Sequence, residues 1–117
     1  MKSSDKLLEG VIPIIPTPFT ENEEIDEDAL RRLVDFACSC GIEAACLPAY
    51  ASEFYKLTDD EKLQVVKIAV DQAKGRIKIV AQSNHPSLRS AIRLAQANVA
   101  NGADVISLAV PRIFNLP

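Results

Sequence analysis

No apolar run in this chain approaches the ~18 residues that a membrane-spanning helix requires. Positive charge is not in excess either. Thirteen lysines and arginines face sixteen aspartates and glutamates, for a formal net charge of −3, which argues against nucleic acid as a partner because phosphates want a basic face. Histidine occurs once, at position 85, so no metal cluster can be built on histidine. Cysteine is scarce and badly spaced: Cys38 and Cys40 flank a single serine, without the two-residue gap of a zinc or redox pair, and Cys46 stands apart. An odd count suggests reduced thiols packed as small apolar side chains. The opening Met1-Lys2-Ser3-Ser4-Asp5-Lys6 lacks the apolar core of a secretory signal, and the expected compartment is the cytoplasm. Low-complexity tracts, linkers and identical repeats are missing as well. What is present is ordinary for one soluble globular domain spanning residues 1–117, with 48% hydrophobic and 25% charged residues.

The pattern along the chain is alternating strand and helix. Residues 11–15 form a short apolar run broken by Pro13. Asp26 is placed to cap a helix whose inner face is Leu30, Leu33, Val34 and Ala37, spaced i, i+3, i+4, i+7. Gly41 stands where a left-handed helix end is wanted. Residues 44–47 form a second apolar run. Thr58-Asp59-Asp60-Glu61 is a capping box that opens a helix with Leu63, Val66 and Val70 inward, ending near Gly75. Residues 77–81 read as a third strand. Pro86 suits the first turn of a helix that presents Leu88, Ala91, Ile92, Ala95 and Val99 on one face and ends at Gly102. Residues 105–110 read as a fourth strand.

Strands thus begin near 11, 43, 77 and 104, one strand–helix unit per roughly 30 residues, the size of a right-handed crossover between parallel strands. The strands read as continuous apolar runs, as strands buried on both faces do. Two α/β architectures fit. One is a small, complete, doubly wound open sheet. The other is the first half of a TIM (β/α)8 barrel, about four strands and three helices, and the ending just after a fourth strand favours it as a cut inside a larger protein. In either case the loops after the strand C-terminal ends form the functional face. These loops, 16–19, 48–56, 82–86 and 111–115, hold Thr17, Tyr50, Ser52, Glu53, Tyr55, Ser83, Asn84, His85 and Arg112.

Val11-Ile12-Pro13-Ile14-Ile15-Pro16-Thr17-Pro18-Phe19, then Leu57-Thr58-Asp59-Asp60-Glu61-Lys62, then Gly102-Ala103-Asp104 before a strand ending in Val110-Pro111, resemble the dihydrodipicolinate synthase / N-acetylneuraminate lyase family. The register holds from about Gly10 to Pro111 without a gap and covers only the first ~40% of such a protein. The resemblance implies a TIM barrel, a homo-oligomer (tetramer or dimer), and a lysine Schiff base with pyruvate or a related 2-oxo acid. It implies no cofactor and no metal. The imine is an electron sink, so a proton or an aldehyde can leave the neighbouring carbon. A tyrosine and threonine relay moves the protons, and a glycine-rich loop offers N–H groups to the substrate carboxylate.

This sequence departs from that pattern in its loops. The family's Gly-Thr-Thr-Gly-Glu falls on Ala49-Tyr50-Ala51-Ser52-Glu53, and its Pro-Tyr-Tyr falls on Pro111-Arg112-Ile113. The glycine-rich turn after the third strand falls on Gln82-Ser83-Asn84-His85. The Schiff-base lysine belongs to strands outside this chain. Tyr50 is therefore the candidate catalytic residue, a phenol in the place of the first relay threonine, with a pocket-wall role as the plain alternative. Thr17, Ala51, Ser52 and Arg112 are the candidate substrate-binding residues. Arg112 suits a carboxylate through two parallel bonds, against a rim ion pair, and Thr17 lines the pocket or shapes the first loop. His85 is a possible general base or a solvent-facing loop residue. Glu53 fixes its own loop. A lyase with an altered loop, a binder of small carboxylates without turnover, and a complete small α/β domain are the readings that remain.

Overall fold

The computed structural model describes residues 8–110. Three parallel strands lie in the order β1 (Ala44–Leu47), β2 (Lys78–Gln82), β3 (Val105–Ser107). Three helices, α1 (Glu27–Ser39), α2 (Asp59–Ala73) and α3 (Leu88–Ala100), connect and cover them. Ala44 pairs with Lys78 and Val80 with Val105, so each strand is joined to the next by a crossover helix. This is the parallel α/β half-barrel pattern, with three helices as expected.

The first expected strand is the main difference. Residues 11–15 run alongside β1, but only one bridge forms, Ile14 to Cys46. Ile15 N donates to Cys46 O at 3.0 Å and Cys46 N donates to Pro13 O at 2.9 Å. The ladder goes no further because Pro13, and Pro48 beyond β1, lack the N–H groups that would extend it in this register. The last strand is also shorter than residues 105–110: after Ser107 the chain leaves the ladder, and Ala109 N donates to Asn84 Oδ1 at 2.7 Å.

The helices start where capping chemistry puts them. Asp26 accepts from Ala29 N at 3.0 Å, and Thr58 and Glu61 satisfy each other's backbone donors. Such caps each contribute about 1 kcal/mol. Pro86 lies before the cap rather than in the first turn; Ser87 is the cap, accepting from Ser90 N. Leu30 and Val34 of α1 are fully buried, each stabilising the fold by about 1.5–3 kcal/mol. Helix α2 buries Val65 and Ile68 as well as Val66, because it is wedged between α1 and α3 over the sheet.

Helix α3 corrects its expected face. It packs through Leu94 and Asn98, whereas Leu88, Ile92 and Val99 are 76%, 49% and 58% exposed. The apolar stripe is wider than the surface that α2 and β2 can cover. Its outer edge therefore meets no helix among the described residues. None of the described helices is long and apolar enough to cross a membrane.

Gly102 returns the chain from α3 to β3 at φ +101°, and a Cβ there would stand 2.9 Å from Val70 Cγ1. Gly102→Ala is expected to lower stability by about 1–3 kcal/mol, read as a shift in the urea midpoint. The 117-residue chain by itself is expected to self-associate, because Phe36, Leu88, Ile92 and Val99 stay exposed. A single monomeric species in sedimentation velocity would contradict that.

Candidate functional site

The polar loops converge at the C-terminal ends of the strands. After β1 and the cis Leu47–Pro48 bond come two short 3-10 turns, Tyr50–Ser52 and Phe54–Lys56. Glu53 joins them in the left-handed conformation, at φ 58° and ψ 44°. That geometry costs a non-glycine residue roughly 1 kcal/mol. Glu53 N donates to Tyr50 O at 2.9 Å, and the Glu53 carboxylate takes Lys56 Nζ at 2.7 Å. This bond holds the Lys56 ammonium above its usual pKa. Glu53 thus acts on its own loop.

Thr17 and Ser52 are joined. Thr17 Oγ1 donates to Ser52 O at 2.7 Å, and Ser52 Oγ donates to Ile15 O. Ser52 is fully buried. The two hydroxyls stitch the loop after residue 15 to the loop after β1. Ala51 is exposed on the same turn. Tyr50 is 62% exposed and sits edge-on to Phe54, with ring centroids 5.2 Å apart. Phe54 meets Tyr55 in the same way at 5.9 Å, and Lys62 Nζ lies 5.6 Å from the Phe54 ring. Thr17, Tyr50, Ala51 and Ser52 are thus brought together. Arg112 lies outside the described residues.

The loop after β2 is pinned at several points. Ser83 is buried; its N–H donates to Ser107 O at 3.0 Å and its Oγ accepts from Asn98 Nδ2 at 3.0 Å. His85 Nδ1 accepts from Ser87 N at 3.0 Å, while Nε2 faces Asp59 Oδ2 at 3.5 Å. His85 therefore bridges α2 and α3. A hollow of about 290 Å³ opens beside this loop, lined by Asn84, His85, Leu88 and Leu108 among others.

Two features escaped sequence reasoning. Asn98 is 1% exposed, and its Oδ1 has no partner among the described residues. The only signal was a polar residue one helical turn after Leu94, on the buried side of α3. The second is the meeting of Cys46 Sγ with Gln82 Oε1 at 4.0 Å; the burial of this thiol, which pushes its pKa up, is as the sequence suggests. No group of three or more His, Cys, Asp or Glu among the described residues is placed to hold a metal ion.

The comparisons with known proteins agree with one another. A family model described as the dihydrodipicolinate synthetase family matches residues 7–115. The chain is 34% identical over 113 residues to a 4-hydroxy-tetrahydrodipicolinate synthase of Salinibacter ruber, covering 97% of this chain and 37% of that protein. It is 32% identical over 106 residues to an N-acetylneuraminate lyase of Citrobacter koseri, covering 91% of this chain and 36% of that protein. The crystal structure of dihydrodipicolinate synthase from Aquifex aeolicus superposes with a TM-score of 0.83 at 32% identity, over 86% of this chain and 34% of that one. A prophage protein of the same family from E. coli K12, in complex with pyruvate, superposes at 0.89 with 24% identity, over 96% of this chain and 38% of that one, which speaks to fold alone. The chain spans a little over a third of the length of the relatives it matches.

The thiols differ in accessibility: Cys40 is exposed and Cys46 is buried. Iodoacetamide at neutral pH is expected to modify Cys40 under native conditions and Cys46 only after unfolding, read by peptide mass. Early modification of Cys46 would contradict the packing of this face.

Proposed function

The chain belongs to the dihydrodipicolinate synthetase family, and from that premise we propose that it is the N-terminal part of a TIM-barrel lyase forming a Schiff base with pyruvate or a related 2-oxo acid. The observation that carries the reading is the match along nearly the whole chain to lyases and synthases of one family, with Thr17 and Tyr50–Ser52 gathered at the strand C-terminal ends. The imine lysine comes from later strands. In this reading the protein is cytoplasmic and assembles as a homo-oligomer, tetramer or dimer, without a cofactor.

The residues divide the work. Ala51 and Ser52 border the subsite for the 2-oxo acid carboxylate, and Arg112 supplies a positive partner for it. Thr17 keeps that border in place through its bond to Ser52 O. Tyr50 stands where the family's relay begins and passes the proton that must leave or reach the carbon next to the imine.

A second reading, a binder of small carboxylates without turnover, is favoured by one observation. The Thr17 and Ser52 hydroxyls are both committed to backbone carbonyls and leave Tyr50 as the remaining hydroxyl of the group.

The test is the denatured mass of the full-length protein after incubation with pyruvate and borohydride. A reduced adduct is expected, and its absence sinks the lyase reading in favour of the binder. The 117-residue chain alone is expected to give no adduct. Tyr50→Phe is expected to lower turnover by about 10²-fold or more while adduct formation persists. Unchanged turnover would remove Tyr50 from the relay.

A further inference from the structure

The two faces of the sheet differ in kind. Ala45, Leu47, Ile79, Ala81 and Ile106 pack under the helices. Ala44, Cys46, Val80 and Val105 form a separate cluster on the other face. Side chains alternate along a strand, so Gln82 and Ser107 share the second face with Val80 and Val105. The contact between Cys46 Sγ and Gln82 Oε1 places Gln82 there directly. Gln82 and Ser107 are paired in register, at the C-terminal end of the sheet.

This face is thus apolar in the middle and polar at the end where the loops converge. Lys78, at the opposite end of β2, is ~13 Å away along the strand. At the loop end the paired side chains are uncharged. Burial keeps the Cys46 thiol protonated, so its S–H donates to Gln82 Oε1. That contact, long even for sulfur, meets one lone pair of the amide oxygen and leaves the two Nε2 hydrogens facing away from the thiol. No described residue accepts them. A neutral pair of donors beside a serine hydroxyl suits a neutral oxygen, whereas a carboxylate calls for charged or several backbone donors.

We propose that Gln82, supported by Ser107, is a specificity-determining residue, whose Nε2 donates a hydrogen bond to a hydroxyl oxygen of the aldehyde partner, so that hydroxylated aldehydes are preferred over unsubstituted ones. This rests on the Schiff-base reading above and deepens it, by naming the class of the second substrate. The 2-oxo acid occupies the Ala51–Ser52 side, and the aldehyde chain reaches the β2–β3 side.

The experiment uses the full-length protein, its Gln82→Leu variant and its Gln82→Met variant, neither of which offers a side-chain N–H donor at that position. Borohydride trapping with pyruvate reads the imine. The ratio of kcat/KM for glyceraldehyde to that for propionaldehyde reads the hydroxyl preference. Trapping is expected to be unchanged in both variants, with the preference falling about tenfold through loss of the glyceraldehyde rate alone. Normal trapping with an unchanged preference in both variants overturns the role of Gln82 and leaves the lyase reading intact. Wild-type protein that traps no pyruvate overturns the lyase reading, and this inference with it. Loss of trapping in both variants would tie Gln82 to the imine step and would equally overturn the proposal. If Gln82→Leu alone loses trapping, the Gln82→Met preference decides: a fall supports the proposal and no change overturns it.

Discussion

Parallel pairing of β2 with both of its neighbours sends successive side chains to opposite faces of the sheet, and the remaining architecture hangs on that division. One face is sealed by α1 and α2, whose apolar stripes meet Leu47, Ile79 and Ala81, while α3 packs beside them against β2 and β3. The other face holds small side chains, Ala44, Cys46 and Val80. Because all strands point the same way, every loop that follows a strand emerges at one end. The candidate site is gathered there for that reason alone.

At that end the backbone is held by side chains more than by ladder bonds. Thr17 and Ser52 bond across the first two loops, where Pro13 and Pro48 interrupt strand pairing, and Asn84 and Asn98 hold the loops beside β2 and β3. Each neutral hydrogen bond of this kind adds about 1 kcal/mol net, so the group can support the left-handed Glu53. The arrangement has a chemical consequence. A hydroxyl committed to a backbone carbonyl is a poor proton carrier, and the burden of proton transfer falls on Tyr50 in the lyase reading.

The outer surface shows a different balance. Arg31 bridges Glu27 and Asp71, and Arg76 bridges to Asp35, tying α1 to α2. The Arg76 guanidinium, with Gln72, holds the Asp35 carboxyl below its usual pKa. This contribution is present above the ordinary carboxylate range and is lost as pH falls through the lowered value, but solvent keeps it small. Elsewhere apolar groups lie open: Val11, Ile14 and Phe36 along a groove with Leu33, and Leu88, Ile92 and Val99 on α3. The relatives are nearly three times as long as the region they share with this chain.

Much of this was legible in the residues. Asp26, Thr58 with Glu61, Gly41 and Gly102 mark helix ends by local backbone chemistry, which needs no tertiary context. The apolar runs at 44–47 and 77–81 announce strands buried on both faces, and the loop motifs announce the family. Other features depend on neighbours distant in sequence. Whether residues 11–15 extend a ladder, which edge of α3 is covered, and that the Thr17 and Ser52 hydroxyls serve each other's loops were decided by packing across gaps of about 30 residues. So was the meeting of Cys46 with Gln82, 36 positions apart. Local preference and periodicity are written in short windows of sequence; pairing register and the hydrogen bonds of a convergent site exist only once crossovers bring separate windows together.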